Sequence, residues 1–270
     1  MSLFALAILA IIQGITEFLP VSSSGHLILF PVLTGAEDQG LAVDVAVHVG
    51  TLVAVMAYFW RDVGRMLVGC LHIVTARTHT DQARLVLLLA IATVPVVIVG
   101  AVLSVTGWVD ALRNMTVIAW TMIIFGLVLY WFDTRSVEDR TSGEWTVGHA
   151  ITMGLWQAVA LIPGTSRSGA TITGARALGY TRTEGARLAM LMSIPTIIAS
   201  GLLVGIDAAQ GGTDQSFTTL AIAAGLACIA AMAALILMMR LLRSVSFTPY
   251  VIYRIVFGVI LLVIASNQGA

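Results

Sequence analysis

Apolar residues fall in long blocks along this chain, and polar residues gather at the breaks between them. Six blocks reach the roughly 17–25 residues a helix needs to cross a bilayer: 43–60, 84–104, 115–132, 185–206, 218–239 and 249–266. Val, Ile, Leu and Ala dominate each one, and the longer blocks are too long and too uniformly apolar for soluble strands. Two further regions are apolar but interrupted. Residues 1–33 contain QGITEFLPVSSSGH, and residues 147–180 contain QAVALIPGTSRSGAT. A central Pro removes a backbone donor and the turn around it frees carbonyls, so neither region forms one regular lipid-facing helix. Irregular backbone at membrane depth is tolerated where protein or a wet cavity covers it. Both regions are therefore predicted to be re-entrant helix–loop–helix hairpins.

The two interruptions match. Gln13 precedes Gly25 by 12 residues and Gln157 precedes Gly169 by 12, an offset of 144 (157 minus 13). Pro20 and Pro163 sit near the middle of each, and Ser24 and Ser168 each precede the glycine. Three spans follow each hairpin, which predicts a repeat of 1–135 on 145–270. Arginine placement sets the orientation, because loops on the cytoplasmic side are enriched in Arg and Lys. Eleven arginines lie in 61–84, 133–146, the segment after the second hairpin and 240–248; the alternate loops 33–42, 105–114 and 207–217 hold only Arg113. The two hairpins then enter from opposite sides. The predicted fold is an all-α polytopic membrane protein, an inverted 3+3 repeat of six transmembrane helices plus two re-entrant helical hairpins. Inverted repeats with broken helices place a site near the midplane, so the two tips are expected to face each other.

Composition supports this reading. The chain is 59% hydrophobic and 10% charged, against about 25% charged in soluble domains. The 14 basic residues are all Arg, balanced by 14 acidic ones, and no basic tract suggests nucleic acid. Cys70 and Cys228 lie far apart and read as unpaired apolar residues near helix ends. The N-terminal MSLFALAILAIIQG lacks the basic n-region of a signal peptide, and is expected to belong to the mature protein.

The tips carry the chemistry. The first offers Glu17, Ser22, Ser23, Ser24 and His26; the second offers Thr165, Ser166, Arg167, Ser168 and Thr171. Ionisable groups at membrane depth are costly, and Glu17, His26 and Arg167 are functional candidates by default. An Arg fork matches phosphate oxygens two at a time, and hydroxyls and helix-start N–H groups add donors. The plainer alternative is an Arg167–Glu17 ion pair that neutralises two buried charges. The serines after Pro20 read either as helix caps or as a nucleophile with His26 or Glu17 as base. Positions 23 and 26 share a helix face, so Ser23 is expected beside His26. Gln13 and Glu17, at i and i+4, also share one. Glu17 beside a diphosphate must be protonated, act as base or bind a divalent cation. The absence of zinc-type spacing points to an oxygen-ligated ion, Mg²⁺ or Ca²⁺. Asp44 and His48 read as interfacial or bundle-facing. Arg254, inside the last span, needs a partner. Trp60, Trp108, Trp131 and Trp145 fall near span ends, where aromatic belts form.

QGITEFLPVSSSGH and PGTSRSGAT together resemble the two signature motifs of bacterial undecaprenyl-pyrophosphate phosphatases of the bacitracin-resistance type. FWRD at 59–62 and SFTPYVIYR at 246–254 extend the resemblance over the whole chain. The resemblance implies hydrolysis of undecaprenyl diphosphate to the monophosphate, which recycles the lipid carrier for peptidoglycan. It also implies a multi-pass protein of the bacterial plasma (inner) membrane, a homodimer, dependence on a divalent cation, and a site opening to the extracytoplasmic side. Glu17, Ser23 and His26 of the first motif, and Ser166, Arg167, Ser168 and Thr171 of the second, match the family's functional positions. Many members carry Glu where this chain has Gln13, which leaves one carboxylate where they have two; Gln13 still offers one carbonyl oxygen as a ligand, or a bond to phosphate. The main rival reading is a polyprenyl-phosphate flippase or transporter, since inverted repeats are also transporter traits. Grouped hydroxyl, imidazole, carboxylate and guanidinium favour an enzyme.

Overall fold

A computed structural model describes residues 2–35, 40–107, 112–211 and 215–268, with side chains described except at 33–34, 203–211 and 268. Among the described residues the fold is helical, with no strand beyond one isolated bridge between Arg140 and Tyr180. The first hairpin is α1 (Leu3–Phe18) and α2 (Ser23–Thr34). There follow α3 (Leu41–Tyr58), α4 (Trp60–Val74), α5 (Asp81–Thr106) and α6 (Met115–Arg135). The second hairpin is α7 (Val147–Val159) and α8 (Arg167–Ala177), followed by α9 (Arg182–Gly211), α10 (Phe217–Leu241) and α11 (Thr248–Gln268). Six of these helices are long and apolar enough to cross a membrane: α3, α5, α6, α9, α10 and α11. They coincide with the six predicted blocks.

One element differs from expectation. Residues 61–84, read above as a loop, contain α4. Its apolar residues Leu67, Leu71 and Val74 are exposed, while Asp62 and Gly69 are buried. Alternation at helical spacing was present there, but the arginines masked it. Trp145 also departs from the aromatic-belt reading, since it is buried at 2% exposure. Trp108 lies outside the described residues.

The helices pack by close approach of backbones. A Cβ at Gly14 of α1 would overlap the Ala227 carbonyl of α10, and one at Gly154 of α7 would overlap the Ala92 carbonyl of α5. Gly50 of α3 sits equally close to Ala224 of α10. Without a hydrophobic force between helices in lipid, such small-residue contacts and buried polar bonds hold a bundle together. Each hairpin thus packs on a span of the other half: α1 on α10, and α7 on α5. Likewise α3 lies on α10 and α9 on α5, while α3 meets α9 and α6 meets α11.

Charged clusters tie helix ends together on the arginine-rich side. Asp133, 2% exposed at the end of α6, accepts from Arg176 Nε at 3.0 Å, Arg182 Nε at 2.8 Å and the Phe247 N–H at 3.1 Å. Arg187 of α9 forks onto Asp62 of α4 at 2.5 and 3.1 Å and reaches Ser142 at 2.8 Å.

Arg254 of α11 is fully buried and makes no ion pair among the described residues. Its partners are five backbone carbonyls: Pro20 at 3.4 Å, Thr121 at 3.5 Å, Met122 at 3.1 Å, Gly164 at 3.1 Å and Thr165 at 2.8 Å. Pro20 belongs to the first hairpin loop, and Gly164 and Thr165 to the second. The partner the sequence demanded is therefore backbone: three freed carbonyls of the two loops and two of α6.

Arg254→Leu should leave the Pro20, Gly164 and Thr165 carbonyls of the loops unpaired in the interior, at a cost of about 1–3 kcal/mol each. We expect a large drop in melting temperature in detergent, not restored by Arg254→Lys, whose compact ammonium cannot span five acceptors. Asp133→Ala should leave the buried Arg176 with only the more exposed Glu138 as an acid partner, costing about 3–5 kcal/mol, readable as a lower detergent melting temperature.

Candidate active site

Both hairpin loops turn sharply into their second helix. Ser22 and Ser166, 144 residues apart, cap α2 and α8 with φ of 72° and 70°. A non-glycine residue there stores about 1–3 kcal/mol of strain and persists only where its surroundings hold it. Cross-hairpin bonds supply that hold. The Gly164 N–H donates to Ser24 Oγ at 2.9 Å, and Ser168 Oγ donates to the Leu19 carbonyl at 2.9 Å. Each hairpin's serine before glycine thus reaches the other hairpin's loop. Since Ser168 spends its proton on Leu19, it accepts from Ser166 Oγ at 3.1 Å, and Ser166 accepts the Gly169 N–H at 3.2 Å.

The loops close over a cavity of about 750 Å³. Glu17, Ser22, Ser23, Ser24, Ser166 and Arg167 line it, together with apolar Leu27, Ile28, Val96, Ile118, Leu161 and Ile197. Arg167 Nη2 meets Glu17 Oε1 at 2.6 Å, so the carboxylate of one hairpin and the guanidinium of the other form an ion pair. The side chains are 8% and 18% exposed, respectively, so the pair is shielded but open to the cavity. Arg167 Nη1 also donates to the Ser193 carbonyl of α9 at 3.3 Å. Glu17 Oε2 accepts from Gln13 Nε2 at 2.6 Å. Of the three serines of the first loop, Ser23 alone makes no side-chain hydrogen bond among the described residues, since Ser22 and Ser24 bond each other at 2.9 Å.

Several sequence-derived candidates sit elsewhere. His26 does not line the cavity. Its Nδ1 is 2.9 Å from the Ser22 carbonyl and its Nε2 is 2.6 Å from the Tyr253 hydroxyl. Its ring stacks on Phe257 with centroids 4.5 Å apart. Positions 23 and 26 share a turn, but Ser23 faces the cavity while the imidazole is drawn to the aromatic face of α11. Thr165, Ser168 and Thr171 are buried behind the loop rather than on the cavity wall. Thr171 Oγ1 donates to the Arg167 carbonyl at 2.8 Å. Gln13, fully buried, also lies behind the wall.

Two groups that the sequence reading did not assign to the site line the cavity. His48 of α3 comes within 3.7 Å of Glu17 Oε2. Gln157 of α7 donates to Thr196 Oγ1 of α9 at 3.1 Å, and both face the cavity. The available signal was an ionisable residue at membrane depth for His48 and the match to Gln13 for Gln157; spacing along one helix cannot say which neighbour a face will meet.

The sequence profile of the family described as Bacitracin resistance protein BacA matches residues 6–260. The chain is 62% identical over 265 residues to undecaprenyl-diphosphatase of Jannaschia sp. (strain CCS1), covering 98% of this chain and 99% of that protein. Undecaprenyl-diphosphatase of Ruegeria pomeroyi (strain ATCC 700808 / DSM 15171 / DSS-3) is likewise 62% identical over the same shares of both chains. That of Maricaulis maris (strain MCS10) is 44% identical, covering 97% of this chain and 99% of that protein. With its two motif-bearing loops meeting at one cavity and its sequence matched almost end to end, the chain belongs to the BacA family of bacitracin resistance proteins.

Proposed function

We propose that this membrane protein hydrolyses undecaprenyl diphosphate to undecaprenyl phosphate and inorganic phosphate, and thereby supports cell-wall synthesis and bacitracin resistance. The observation that carries the reading is the Glu17–Arg167 pair, made across two hairpins and facing a hydroxyl-lined cavity among membrane-spanning helices. The arriving diphosphate competes with Glu17 for the Arg167 fork, which matches two phosphate oxygens at once. That exchange frees Glu17 to accept a proton. Ser23, the loop serine with an uncommitted hydroxyl, is the attacking group we assign. A bond forms from its oxygen to the terminal phosphorus while the bridging P–O bond breaks. The hydroxyl proton passes to Glu17, and the bridging oxygen leaves with the lipid monophosphate. Water then attacks the phosphoserine, releasing phosphate and restoring the hydroxyl. His26 could enter this chemistry only by giving up Tyr253.

The remaining proposals concern setting. A divalent cation, Mg²⁺ or Ca²⁺, would be held by Glu17 among protein groups, with phosphate oxygens and waters completing its shell, as Mg²⁺ commonly accepts. Gln13 does not fit as a ligand in its present orientation, because its amide nitrogen, not its oxygen, faces Glu17 and it stands behind the cavity wall. Such an ion would neutralise charge on the diphosphate. The chain is proposed to form two inverted halves, 1–135 and 145–270, supported by the exchange of α1 on α10 for α7 on α5. We place it as a homodimer in the bacterial inner membrane, with the cavity open to the extracytoplasmic side. In support, two cavity-wall residues belong to the arginine-poor side: Asp44 just after the 33–42 loop and Arg113 within the 105–114 loop. The apolar wall residues suit the first prenyl units of the tail.

Phosphate release from undecaprenyl diphosphate by purified protein in detergent tests the activity, and its absence would favour a translocator. In that assay Arg167→Ala should lower kcat by roughly 100- to 1,000-fold, the usual loss for a donor to developing charge, with the protein still folded by melting temperature. Ser23→Ala should be far more damaging than Ser22→Ala, and equal mild losses would remove the nucleophile assignment. Ser22→Gly should keep most of the activity, since glycine adopts positive φ without strain.

A further inference from the structure

His48 lies on α3, outside both hairpins, yet faces the same cavity as the ion pair. Its Nδ1 is 2.7 Å from the Asp44 carbonyl. A carbonyl only accepts, so Nδ1 carries the proton, and in the neutral ring Nε2 is left as a bare acceptor. That acceptor sits 3.2 Å from Gln13 Nε2. The amide nitrogen has two protons, and the other goes to Glu17 Oε2 at 2.6 Å. At 3.7 Å from Glu17, His48 is too far to bond the carboxylate itself. It acts through Gln13.

The sense of the Gln13 amide follows from these two acceptors. Turned over, the amide would press its oxygen against both the carboxylate and the bare imidazole nitrogen, and bury two unused donors. As it stands only Oε1 lacks a partner, in a residue with no exposed surface. Without His48, half of the preference for this sense disappears. Glu17 would then lose a firm donor on Oε2 while Arg167 still pulled on Oε1.

We infer that His48 is a positioning residue for the phosphatase reaction: it fixes the Gln13 amide, and through it the carboxylate of Glu17 that faces the substrate diphosphate. This rests on the reading of Glu17 as the group that handles the proton.

The test compares His48→Ala, His48→Gln, Gln13→Ala, the double variant His48→Ala/Gln13→Ala and Glu17→Gln, all purified in detergent and assayed on undecaprenyl diphosphate. His48→Ala should lower kcat roughly tenfold, the worth of one lost hydrogen bond, with KM and melting temperature nearly unchanged. His48→Gln should recover most of that loss, because its amide oxygen can accept from Gln13 in place of Nε2. Residues acting in series are not additive, so the double variant should be no worse than Gln13→Ala. An inactive Glu17→Gln beside a fully active His48→Ala would overturn the positioning role and leave the phosphatase site intact. A fully active Glu17→Gln would overturn both. Losses that multiply in the double variant, or a His48→Ala defect that follows a lowered melting temperature and is not recovered by Gln, would also overturn it.

Discussion

A guanidinium with no carboxylate beside it among the described residues holds the centre of this protein together. Arg254 bonds to carbonyls from both hairpin loops and from α6. The arrangement answers a constraint that lipid imposes. A broken helix leaves backbone carbonyls without partners, and no water in the bilayer core can satisfy them. An acid would have neutralised Arg254 but taken its donors. Carbonyls take up donors on all three of its nitrogens, and those of the loops are thereby satisfied, so one buried cation repairs two broken helices. The cost of burying the charge is met by bonds that would otherwise be missing on both sides.

Once the loops are pinned there, the rest of the site follows. Ser22 and Ser166 hold positive φ because Ser24 and Ser168 are committed across the hairpin interface. Those turns present Ser23 and Arg167 to the cavity, and Arg167 finds Glu17 on the opposite hairpin. The ion pair keeps two charges tolerable at membrane depth while the cavity holds no anion. In the proposed reaction a diphosphate replaces the carboxylate on the fork, and the same guanidinium then serves stability first and binding second.

The motifs made much of this legible. Six spans, two interrupted regions and the residues of both tips could be read from block length, Pro, Gly and hydroxyl content. The Glu17–Arg167 contact was legible too, because two buried opposite charges must find each other. Other features were not. α4 was hidden because its arginines made 61–84 look like a loop. His26 and Ser23 share a helix turn, yet the stack of Tyr253 and Phe257, some 230 residues away in sequence, draws the imidazole off the cavity. Ser168 and Thr171 looked like phosphate donors, but their protons are spent on backbone carbonyls.

Residue order alone determined the solvent, the number of crossings, the places where helices must break and the chemical groups at those breaks. Each is a local property, set by the transfer of apolar surface to lipid or by the backbone limits of Pro and Gly. Tertiary structure decided which of those groups face the cavity, which are consumed in holding the loops, and that His48 and Gln157 join from α3 and α7. Those outcomes depend on which helix lies across from which, and hydrogen bonds are short and directional. A rotation of one helix by a single residue would exchange a buried structural bond for an open catalytic face.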